Sequence, residues 1–186
     1  MVPLTSASGE SLDEAASRLV REFSSQLKPA LLEAMTTGGP AHGVSVCAER
    51  APAISRSLGD SSGWQVRRVS LKPRNPDAGA DAFEARVLND FIRLRQSGAE
   101  ASQLRHGEEV NGQYRYLQAQ LTEGICLTCH GKEIEPGLSK MIEQYYPGDQ
   151  ATGFSLGDVR GAISLTRPMV KEKRSTNSPE TKTGNE

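Results

Sequence analysis

The chain has 186 residues, enough for one domain with its own core and too few for two roomy ones. It is 36% apolar and 24% charged, with a formal net charge of −1. That balance gives no case for nucleic acid or an anionic membrane as partner, and no apolar run approaches the roughly 20 residues needed to span a bilayer.

Residues 1–10 read as a flexible lead-in. Met1-Val2-Pro3-Leu4-Thr5 lacks the basic and apolar regions of a secretory leader. Ser11-Leu12-Asp13-Glu14 is a capping box that opens a helix. Leu12, Ala16, Leu19, Phe23, Leu27 and Leu31 follow at helical spacing. Pro29 is a potential kink, and Gly38-Gly39-Pro40 ends the helix. A second helix is expected over 42–58, with Val44, Cys47, Ala51, Ile54 and Leu58 on one face. Trp64 to Leu71 reads as a strand whose apolar phase slips between Val66 and Val69, which a β-bulge would reconcile. Residues 74–79 form a loop, and Asp81 caps a third helix that carries Phe83, Val87, Phe91 and Leu94 toward Gly98.

Asn111-Gly112 is a hairpin turn signal, and Tyr114 to Leu121 a strand. A short helix over 138–146, a turn at Tyr146-Pro147-Gly148-Asp149 and a last strand over 161–166 complete the domain at about residue 170. The polar tail from 171 to 186 is expected to be disordered. Helices and strands in this order predict an α+β fold rather than a helical bundle.

The most specific motif is Cys126-Leu127-Thr128-Cys129-His130. C-x-x-C-H is the attachment site of c-type haem: the thiols of Cys126 and Cys129 add to the two vinyl groups, and His130 is then placed to bind the iron. A redox dithiol would want a βαβ setting at a helix N-terminus. A zinc site would need a fourth ligand, which Cys47 could supply, and chance occurrence is the remaining alternative. Cys47 is the one cysteine left over of three.

The sixth iron position has several candidates: His42, His106, Met35, Met141, Met169 and Cys47, or no protein ligand at all. His106 lies in a polar stretch and reads as a solvated loop residue; His42 reads as a surface or cap residue. Cys47 alone sits in the middle of an apolar face, where a free cysteine is often simply core. Apolar pocket walls are expected from Val44, Ala51, Ile54, Ile125 and Tyr145. Lys72, Arg74 and Arg160 are candidates for the haem propionates.

Several segments together carry a resemblance. They are Val46-Cys47-Ala48-Glu49-Arg50-Ala51-Pro52, Arg74-Asn75-Pro76, Cys126 to Gly131, Tyr146 to Gly153, and Asp158-Val159-Arg160-Gly161-Ala162. In this order, over about residues 11–166, they resemble a family of bacterial haem-c domains catalogued as a domain of unknown function. The resemblance implies a PAS-like fold, an antiparallel sheet with flanking helices and long N-terminal helices. It also implies His/Cys axial ligation by His130 and Cys47. Its members occur alone and as sensory modules attached to signalling proteins.

The expectation is therefore a monohaem c-type cytochrome with one covalently attached haem, a redox-responsive sensor or redox partner rather than an enzyme. Its partner is an unknown redox or signalling protein. The alternatives are plain electron transfer, or a gas- or peroxide-handling haem protein with an open distal site, which the predicted strands disfavour. Because haem c is normally attached outside the cytoplasm in bacteria, the expected location is periplasmic, with a leader removed and Met1 in its place.

Overall fold

The computed structural model describes residues 10–169. The expected lead-in, except its last residue, and the expected tail lie outside the described residues. Helix α1 (Leu12–Ser62) starts as anticipated: the Ser11 hydroxyl accepts from Glu14 N, and the Glu14 carboxylate accepts from Ser11 N. At Gly39 the backbone turns out of the helix, with φ 69° and ψ −170°, and splits α1 into two limbs. The left-handed φ is one that glycine adopts without steric cost. Pro40 then begins the second limb, where a missing N–H matters least. Pro29 and Pro52 lie inside the limbs without taking the backbone out of helical geometry.

The limbs lie against each other. A Cβ on Gly43 would stand 2.6 Å from Met35 Sδ and 3.3 Å from Leu31 Cδ1. In a straight helix those residues would be about 12 and 18 Å away along the axis, so the helix has doubled back. The second limb closes on Gly63, left-handed at φ 71°.

The strands β1 (Gln65–Val69), β2 (Arg105–Val110), β3 (Gln113–Leu121) and β4 (Val159–Pro168) form one antiparallel sheet in the order β1-β4-β3-β2. Helix α2 (Ala82–Gln96) is capped by Asp81 as predicted, and the Glu84 carboxylate completes a capping box. Helices α3 (Leu127–His130) and α4 (Pro136–Tyr145) lie between β3 and β4 in the chain. The fold is thus α+β, an antiparallel sheet flanked by helices with a long helical N-terminus, and not the bundle alternative.

Both faces of the sheet are covered. Phe23, Leu27, Ile54 and Leu58 of α1 pack on Trp64, Val66, Tyr116, Ile163 and Leu165. Val87, Leu88 and Phe91 of α2 pack on Val69, Leu117 and Ala162. This explains the phase slip in β1: Val66 faces one layer and Val69 the other. The β1–β4 register is continuous, so the bulge expected in β1 is not there. The irregularity lies instead between β3 and β4, where Gln120 pairs with Gly161 and Leu121 with Val159.

Strand β2 is a second difference. His106 belongs to it, pairs with Leu117, and lies 2.9 Å from the Glu108 carboxylate. An edge strand with polar, partly solvated faces lacks the apolar alternation that marks a strand in sequence. Asn111 and Gly112, both at positive φ, make the turn that joins β2 to β3.

One charged group is locked between α2 and the sheet. Glu84, 1% exposed, accepts from Ser164 Oγ at 2.7 Å and from Asp81 N at 2.9 Å, and lies 3.3 Å from Arg115 Nη2. Removing a carboxylate from such a cluster strands its partners without water. Glu84→Ala should cost about 3 kcal/mol of unfolding free energy in a denaturant titration, well above a surface Glu133→Ala control.

Candidate functional site

The sheet's irregularity shapes the site. Val159 and Ala162, three residues apart, both pack toward α2. A regular strand would put them on opposite faces, so the extra residue re-aims Arg160. Arg160 turns to the cavity between α1, β1 and the C-x-x-C-H segment.

That cavity has a volume of about 340 Å³, within the roughly 300–1,000 Å³ of small-molecule sites. It brings together residues far apart in sequence. Val44, Cys47 and Ala51 come from the second limb of α1. Lys72 and Arg74 come from the loop after β1. Ile125, Cys126, Cys129 and His130 come from the turn and helix α3, and Arg160 from β4.

Two expected wall residues are elsewhere. Ile54 lies one step round α1 and faces the core with Leu58, while Ser55 takes the cavity side. Tyr145 is 51% exposed; Tyr146, a full turn after inward-facing Ile142, lines the cavity instead. Arg68 and Gln120 also line it and were not anticipated, although alternation from Val66 along β1 marks Arg68 as sharing that face.

The other ligand candidates separate cleanly. Met35 lines the same cavity as Cys47. His42 is exposed, His106 is on the far edge strand, and Met169 packs against the α1 core cluster. Met141 is half-buried on α4, off the cavity wall. Among the described residues, no group of three or more His, Cys, Asp or Glu side chains is arranged to hold a metal ion.

His130 is held from behind. Its Nδ1 lies 2.7 Å from the Ala151 carbonyl, to which it donates, so Nε2 is the ring's acceptor nitrogen. Nε2 turns toward Arg160, whose Nη1 is 3.3 Å away. Burial, with Arg160 and Arg74 nearby, pushes the ring's pKa down to about 2. The imidazole is therefore neutral, the form that binds metals. Phe154 stands edge-on to the ring at 6.5 Å.

The backbone of 151–154 is stitched to α3 by Gly153 N to Gly131 O at 2.9 Å and Phe154 N to His130 O at 3.0 Å. The Cys129 thiol is pushed up by burial, with Arg74 opposing. Burial also lowers Arg160, aided by Arg68.

The three propionate candidates differ in commitment. Lys72 donates to Thr152 O and sits 4.9 Å over the Phe154 ring. Arg74 is tied to Asp149 at 3.0 Å and to the carbonyls of Cys129 and Ala151. Arg160 has no carboxylate partner among the described residues; its buried Nε, like that of Arg74, has no hydrogen bond.

With the geometry in place, comparison with known proteins assigns the fold family. The family model described as Tll0287-like matches residues 7–168. The chain belongs to that family. It is similar to the crystal structure of the cyanobacterial haem protein Tll0287, with a TM-score of 0.66 and 24% identity, over 85% of this chain and 95% of that one. At this identity the likeness is one of fold. No curated protein matches. No helix among the described residues is long and apolar enough to cross a membrane.

A Cβ on Gly131 would lie 2.5 Å from the Leu127 carbonyl oxygen, inside α3 itself. Gly131→Ala should therefore shift α3 away from residues 151–154. Amide exchange at Gly153 and Phe154 should become at least tenfold faster by mass spectrometry, corresponding to about 1.4 kcal/mol, at the low end of overpacking costs.

Proposed function

We propose that this protein is a monohaem c-type cytochrome acting as a redox-responsive sensor or redox partner. In this reading Cys126 and Cys129 hold one haem by thioether bonds, and His130 and Cys47 bind its iron. The observation that carries the reading is convergence. A thiol from α1 shares one cavity with the complete C-x-x-C-H set, some eighty positions later in the chain, and the His130 ring turns Nε2 toward that cavity, 3.3 Å from Arg160 Nη1, while Nδ1 donates to the Ala151 carbonyl.

The residues present fit the group. Val44, Ala51 and Ile125 supply apolar wall, and the unpaired Arg160 Nε lies where a cation or donor could meet a carboxylate. When bound, the haem supplies one-electron redox chemistry. The protein's own part is to orient His130, keep its ring neutral and present a thiol among apolar neighbours. A Cys47 thiolate stabilises the ferric state and lowers the potential, and its loss on reduction would make a switch. With ligation unchanged in both states, the same site serves plain electron transfer. Haem-c attachment implies an extracytoplasmic, periplasmic location. The domain proposed to do this spans residues 11–170.

Covalent attachment is tested first. Denatured protein should retain its pigment and weigh one haem more than the polypeptide, and Cys126→Ser with Cys129→Ser should lose it. Complete release of haem into acidified organic solvent would refute the attachment.

Ligation is tested separately, with both attachment cysteines intact. The ferric protein should be six-coordinate and low-spin. Cys47→Ala should shift its spectrum toward high spin, raise the potential and speed imidazole binding. An unchanged spectrum and potential would make Cys47 a core residue. Met35, on the same wall, would then be the next ligand to test by Met35→Leu.

A further inference from the structure

Behind His130, on the side away from Nε2, lies a compact ionic arrangement that the proposed ligation does not use. The backbone of Ala151 is held on both sides of its Cα. Its N–H donates to Asp149 Oδ1 at 2.8 Å, and its carbonyl accepts from His130 Nδ1 at 2.7 Å. Arg74 Nη2 reaches the same carbonyl at 3.4 Å. It also donates to the carbonyl of Cys129, the residue before His130, and pairs with Asp149 Oδ2 at 3.0 Å. The two side chains are only 11% and 10% exposed, so solvent screens them little.

We propose that Arg74 and Asp149 are positioning residues that fix the orientation of His130 and set its donor strength through the shared Ala151 carbonyl. This rests on the reading that His130 Nε2 binds the haem iron. Arg74 joins three segments that are distant in the chain: its own loop after β1, helix α3 at Cys129, and the loop at 149–151. Without it the carbonyl that receives Nδ1–H is free to turn, and the ring with it.

The electrostatic effect has a definite sign. A guanidinium on the carbonyl draws electron density from the acceptor of Nδ1–H and weakens the ring as a donor. A carboxylate behind it does the opposite. An imidazole that donates more stabilises the oxidised metal, as outer-shell partners of metal-bound histidines do generally. Arg74→Met removes the cation and leaves Asp149 uncompensated, so the reduction potential should fall. Asp149→Asn keeps an acceptor for Ala151 N but leaves Arg74 uncompensated, so the potential should rise. A merely structural role, in which either change loosens the ring, would shift both the same way.

The experiment begins with the mass of each denatured variant, which reports whether one haem is covalently attached. Spectroelectrochemical titration at a single pH then gives the potentials. Shifts of opposite sign are expected, each near a tenfold change in the ferric-to-ferrous ratio at fixed poise, about 59 mV for a one-electron couple. Shifts of the same sign, or none, overturn the proposal. If Arg74→Met fails to fold, Arg74→Gln replaces it with the same expected sign.

A protein whose mass shows no haem refutes the proposed function, and the positioning role is then decided by the His130 ring nitrogens. Their 15N–1H correlation should show one Nδ1–H tautomer in the unaltered chain and a mixture in Arg74→Met. An unchanged single tautomer would overturn the role.

Discussion

The reversal of α1 at Gly39 is the constraint on which the site depends. Without it the helix would run on past the sheet, and Cys47 would lie far from the C-x-x-C-H segment. The left-handed φ of Gly39 turns the chain, and the missing side chain of Gly43 lets Met35 and Leu31 close against the second limb. The doubled helix then covers one face of the sheet and forms one wall of the cavity in a single stroke. Core and site share the same residues: Leu27 and Ala51 belong to the hydrophobic cluster and also line the cavity.

Charge is distributed with a clear division. Where arginines meet the sheet's far side, Glu84 compensates them and is itself satisfied by Ser164 and Asp81. Behind His130, Asp149 compensates Arg74. Inside the cavity no carboxylate pairs with Arg68 or Arg160 among the described residues. A buried guanidinium without a carboxylate partner carries a desolvation cost that an anionic ligand would relieve. Burial first, and then the nearby Arg160 and Arg74, keep the His130 imidazole neutral in the same cavity.

Backbone geometry completes the site in a way side-chain chemistry alone would not. Residues 149–154 have no regular secondary structure, yet their amides and carbonyls bond to His130, Gly131 and Pro73. A loop in this position is ordered by what it touches, which is why the histidine's orientation depends on an arginine more than fifty residues earlier.

Much of this was legible in the order of residues. The C-x-x-C-H spacing, the capping box at Ser11, the cap at Asp81, the break at Gly38-Gly39-Pro40 and the Asn111-Gly112 turn are local signals, and local geometry follows from them without reference to the rest of the chain. Strand β2 was not legible, because an edge strand of Arg, His and Glu needs no buried face. The phase of β1 was misread because two covered faces produce the same apolar pattern as one face with a bulge. Tyr145 and Tyr146, or Ile54 and Ser55, cannot be told apart by spacing alone, since one residue's rotation at a helix end decides which enters the cavity. The sequence by itself determined the elements, their caps and the attachment motif, all set by interactions within a few residues. Only the tertiary structure decided that Cys47 meets His130 in one cavity, that Arg160 is turned inward by a strand irregularity, and that Arg74 stands behind the histidine, because each depends on contacts between segments that chain order leaves far apart.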